Sequence, residues 1–139
     1  MSARSSRLST LVRVAELQEA VARGHAGRAL VASRAAEQAH VAQLQVLRAR
    51  RLQGGTREAL TRSAASQLAQ AAATAQAEQE HEEAVVQQQA AVQGWTAARL
   101  RHRLLSELAE RQREQARADR DRTEQQLADE LAASRRRRP

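Results

Sequence analysis

From about Leu8 to Leu52 the chain reads as one uninterrupted helix, and from about Thr56 to Ser134 as a second, longer one. Val41, Leu44, Arg48 and Leu52 keep a three-and-four stripe in the first stretch, although many neighbouring stripe positions are polar. The only strong break is Gly54-Gly55, followed by Thr56 as an N-cap and Glu58 in the first turn beyond it. Ser5, Ser6 and Ser9 offer caps at the start of the first helix. Two helices joined by a turn at 53–56 make an antiparallel hairpin, so the fold class expected is all-α, a single coiled-coil hairpin with the second helix longer. The basic tail 135–139 is expected to fray.

Composition sharpens this picture. Of 139 residues, 32 are Ala, 23 Arg, 17 Gln, 15 Leu and 13 Glu, and Lys, Ile, Asn, Phe, Tyr and Cys are absent. Alanine makes up more than half of the apolar fraction, so bulk for a compact core is short. Sheet-rich folds are excluded by the scarcity of β-branched and aromatic residues, and disulfides and cysteine zinc sites by the lack of Cys. No long apolar run follows the basic Arg4 and Arg7, so neither a signal peptide nor a membrane span is expected.

Charge suggests an alignment for the hairpin. Residues 1–62 carry net +7, residues 63–98 net −4, and residues 99–139 net +4. A turn centred on Gly54-Gly55 makes facing residue numbers sum to about 109. That alignment sets Glu78, Glu80, Glu82 and Glu83 beside Arg23, Arg28 and Arg34. It sets Val85 and Val86 over the gaps at Gly24 and Gly27, and Trp95 against Leu11, Val14 and Leu17. The first helix then runs out, and residues from about Arg103 to Ser134 extend unpaired for about 45 Å. Pairs such as Glu107 with Arg111, Glu114 with Arg117 and Arg120 with Glu124 are spaced to support a solvated helix there. Leu104, Leu105 and Leu108 lie at its base, and Leu127 and Leu131 near its end.

No catalytic constellation emerges. His25, His40, His81 and His102 are scattered, no pair has the four-residue spacing of a helical zinc site, and no metal is expected. Gly54-Gly55 lacks the lysine and strand of a phosphate loop, so no cofactor is expected either. Despite the basic balance, only Arg48-Arg50-Arg51 and Arg135–Arg138 are undiluted clusters, and Trp95 is the lone aromatic. A specific nucleic-acid partner is therefore not expected. An enzyme is the least favoured class; a coiled-coil adaptor or self-assembling structural protein is the general alternative, and a basic nucleic-acid-associated protein a lesser one.

The C-terminal helix is more specific. Trp95 to Arg111, then Arg122-Thr-Glu-Gln-Gln-Leu-Ala-Asp129-Glu130-Leu-Ala and the basic end Arg135–Arg138, resemble the flagellar FliJ family of the type III export apparatus. The opening Arg7-Leu8-Ser-Thr-Leu11-Val12-Arg13-Val14 and the later Ala36-Glu37 with Leu44-Gln-Val-Leu47 resemble that family's first helix. The resemblance implies a noncatalytic stalk whose paired termini enter the hexameric export ATPase, promoting its assembly and turnover. It further implies contact with the export gate in the membrane, escort of export chaperones, and a cytoplasmic location at the inner face of the membrane. Carried over residue by residue, the ring-contacting positions are Arg122, Gln125, Asp129 and Glu130. The gate-contacting positions are Leu44, Leu47 and Leu68, without the aromatics often found there; seam packing accounts equally for Leu44 and Leu47.

Overall fold

A computed structural model describes residues 3–50 and 55–136, the side chains of residues 3–6 excepted. The described chain consists of helix α1, Ala3–Ala49, and helix α2, Arg57–Arg136, packed antiparallel as an all-α hairpin. Helix α1 starts upstream of Ser5, Ser6 and Ser9, which lie within it rather than capping it. Leu52, the turn residues Gln53 and Gly54, Arg51, and the tail from Arg137 onward lie outside the described residues. Arg135 and Arg136 belong to the last turn of α2.

The start of α2 is built as the residue types require. Thr56 Oγ1 accepts the Ala59 N–H at 3.3 Å and the Thr56 carbonyl accepts the Leu60 N–H, so Thr56 is the N-cap. Glu58 in the first turn complements the helix dipole. Gly55, just before the cap, has φ +139°, a backbone conformation that side chains oppose.

The chain divides into two compact units, Met1–Glu19 with Ala98–Pro139, and Ala20–Ala97. In the second unit, the least exposed positions of α1 recur at alternating steps of three and four: Ala22, Ala26, Ala29, Ser33, Ala36, His40, Gln43 and Leu47. Those of α2 do the same through Ser63, Gln67, Gln70, Thr74, Ala77, His81, Ala84, Gln88, Ala91 and Trp95. This is an unbroken heptad seam, with these residues as the a and d positions. It holds few large apolar side chains; Ala26, Ala77, Ser33 and Thr74 are buried. Small residues let the two backbones approach closely while burying little area per layer.

The alignment differs from the charge-based expectation. Gln70 Nε2 donates to Gln43 Oε1, Thr74 Oγ1 approaches the Gln43 carbonyl at 3.5 Å, and the His40 and His81 rings stack at 6.2 Å. Facing numbers thus sum to between 113 and 121, not about 109. Arg50 Nη1 donates to the Ser66 carbonyl at 3.3 Å, so the first two turns of α2 lie beyond the end of α1. The stripe Val41–Leu44–Arg48 is displaced by the one containing His40, Gln43 and Leu47; Val41 and Arg48 are exposed. Neither Arg23, Arg28 nor Arg34 forms an ion pair with the acidic cluster among the described residues. Instead Gln76 and Gln79 donate to Glu80 and Glu83 along α2, and Arg28 approaches His25. Val86 is exposed, and a Cβ on Gly27 would meet nothing within 4 Å, so the valines do not fill the glycine gaps. Trp95 is a half-buried a-position residue of the seam, while Leu11, Val14 and Leu17 are exposed. Seating these a and d residues in the seam outweighs surface charge pairing, which is weak in water.

In the other unit the seam runs through Leu8, Val12, Ala15 and Glu19 on α1 and Ala98, His102, Leu105 and Ala109 on α2. His102 Nδ1 donates to Glu19 Oε2 at 2.6 Å within it. Ala15 is 2% exposed, and Leu8 and Ala109 close the seam.

Candidate functional site

Beyond Ala109 every described residue of α2, from Glu110 to Arg136, is exposed, a helical segment about 40 Å long. The expected unpaired extension therefore exists, starting about two turns later than the charge-based alignment implied. Its heptad phase continues through Ala116, Asp119, Thr123, Gln126 and Glu130, which offer no apolar seam. Two ion pairs are closed on α2 among the described residues: Arg103–Glu107 at 3.0 Å and Arg122–Asp119 at 3.8 Å. Glu107 turns back to Arg103 rather than forward to Arg111, and the pairs expected further along stand open. Exposed pairs gain little against the side-chain entropy of closing them.

The ring-contacting candidates all fall on this segment. Arg122, Gln125 and Asp129 are spaced three and four apart and share one stripe, with Glu130 beside it. All four are exposed. The gate-contacting candidates differ in exposure. Leu47 is an a-position residue of the seam, Leu44 is half-buried on its flank, and Leu68 is 73% exposed.

A second feature escaped the sequence reading. In the unit of Met1–Glu19 and Ala98–Pro139, large apolar residues stay outside the seam: Leu11, Val14 and Leu17 on α1, Leu100, Leu104 and Leu108 on α2. With Ala15 and Leu105 at d, Leu11 and Leu108 are g positions, and Val14 and Leu104 are c positions. In an antiparallel pair the g positions of both helices flank the same side of the seam, so these four residues straddle one groove. The opposite flank carries Ser9, Arg13 and Glu16 on α1 and Arg99, Arg103, Ser106 and Glu110 on α2, with no large apolar side chain. Phasing the leucines against Ala15, Ala98 and Ala109 would have revealed this one-sidedness.

Among the described residues no group of three or more His, Asp or Glu could hold a metal ion, and no helix is long and apolar enough to cross a membrane. A shallow concavity lined by Arg57, Glu58, Thr61 and Arg62 lies on the first turns of α2. Neither a family model, nor a curated protein, nor a solved structure matches the chain.

Proposed function

We propose that this protein is a noncatalytic stalk and coupling factor of the flagellar type III export ATPase, acting in the cytoplasm at the inner face of the membrane. One observation carries the reading: α2 continues from Glu110 to Arg136 as a fully exposed helix of balanced charge, directly from a paired coil. A helix of that kind fits a sleeve of polar loops, where many weak contacts hold it without fixing it. The resemblance of Arg122–Ala132 to the terminal helix of the FliJ family supports the same role. In it, Arg122, Gln125, Asp129 and Glu130 contact the ring, while the Leu44, Leu47 and Leu68 region serves the export gate and export chaperones are further partners.

The test is to purify the cognate ATPase and measure hydrolysis and hexamer formation with and without this protein. Stimulation of both is expected, with loss on deleting residues 119–139. No effect from the full chain removes the proposal. A second reading, a coiled-coil adaptor or self-assembling protein, is favoured by the apolar residues left outside the seam. A stable dimer or tetramer in light scattering at micromolar concentration supports it over the stalk.

A further inference from the structure

We infer that the groove flanked by Leu11, Val14, Leu104 and Leu108 is a docking site for an acidic amphipathic helix, laid along the hairpin as a third strand. The inference does not depend on the proposed role in export. It rests on three observations about the unit of Met1–Glu19 and Ala98–Pro139.

The first is one-sidedness. Four large apolar residues, each between 44% and 56% exposed, flank one side of the seam, and the other side has none. Scattered surface leucines need no explanation, but four on both walls of a single groove form a contiguous patch. The second is geometry. The residues recur at the c and g positions of both helices, which is where a third helix packs against a two-stranded coil. Its own apolar residues, at three-and-four spacing, would fill the groove.

The third is charge. The c and g positions next to these four residues are Arg7 and Gln18 on α1 and Arg101, Arg111 and Gln115 on α2, all exposed and none acidic; the next acidic one toward the C-terminus, Asp129, lies far out on the exposed extension. Glu16 and Glu110 fall on the opposite flank, and Glu19 is inside the seam with His102. An isologous contact between two copies would bring arginine against arginine across the groove. A helix with leucines on one face and glutamates beside them brings opposite charges together instead. The surface therefore selects against a second copy of itself and for an acidic helix.

The experiment uses the full chain and two synthetic peptides of about four heptads. Both have leucine at a and d; one has glutamate at e and g, the other lysine. Fluorescence anisotropy is expected to show the acidic peptide binding at least about tenfold more tightly than the basic one. The double variant Leu104→Asp, Leu108→Asp loses that binding by at least about tenfold, while Leu127→Asp, on the exposed extension, leaves it unchanged. The double variant Arg101→Glu, Arg111→Glu reverses the preference toward the lysine peptide. All of these positions are exposed, and circular dichroism at unchanged helicity confirms that the hairpin persists. Equal binding of the two peptides, no binding, or equal loss in the Leu127 variant overturns the inference. So does a dimer in light scattering that the Leu104/Leu108 variant dissolves, which would assign the groove to a second copy. Binding to vesicles of anionic lipid, lost in that variant while the acidic peptide does not bind, assigns it to a membrane surface and equally overturns it.

Discussion

At the scale of single residues, glycines separate positions that need their conformational freedom from positions that do not. Gly55 has φ +139°, so Gly55→Ala is expected to lower stability by about 1–3 kcal/mol in urea titration. Gly27 and Gly94 lie inside helices with open space where a Cβ would stand. Alanine at either should raise stability by about 0.5–1 kcal/mol, since the helix gains propensity and nothing is displaced. Trp95 is a different case: it is a half-buried a-position residue of the seam, and its buried Nε1 has no hydrogen-bond partner in the structure. Trp95→Phe keeps most of the ring and removes the unpartnered N–H, so its cost should stay below about 1.5 kcal/mol. Trp95→Ala empties the layer and should cost about 3 kcal/mol, the two being compared by thermal melting.

At the scale of elements, the two helices contribute unequally to stability. Nothing from Glu110 to Arg136 is buried, so ending the chain after Glu110 should leave the melting temperature within about 2 °C of the full chain. Hydrogen exchange should be fast from about residue 115 onward and slow through the seam from Thr74 to Ala109. How far these elements are legible in the sequence follows from what marks them. The break at Gly54-Gly55, the Thr56 cap and the surplus length of α2 rest on local chemistry and can be read directly. The alignment cannot, because apolar bulk is the usual guide to a seam and here it points outward. Leu11, Val14 and Leu17 look like a core face, yet Ala15 between them is the buried residue. His40, Gln43, Gln70 and Thr74 look like surface, yet they line the seam. The groove is hidden for a related reason: Leu11 and Val14 read as interior against Trp95, while Leu104 and Leu108 read as the base of a lone helix, so nothing in the sequence sets the four on one flank. Ring-contacting candidates such as Gln125 and Asp129 could be placed because any position on a lone helix is a surface position.

At the scale of the whole molecule, the chain exposes 11684 Å², where a compact globule of this mass would expose about 7,100 Å². Less surface is left to be uncovered on unfolding, so the urea dependence of stability should have only about 70% of the slope usual for this length. A globule-like slope would mean that the seam buries far more than alanine layers can. The seam has one more consequence, which concerns sliding. Alanine against alanine tolerates a shift of one heptad, about 10 Å, almost without penalty. Glu19 with His102 and Gln43 with Gln70 do not, since each shifted arrangement strands a polar group inside the seam. Replacing all four by alanine should preserve helicity while broadening the spin-label distance distribution across the hairpin into several displaced populations. The polar layers are thus the ruler by which two slippery helices find a single alignment.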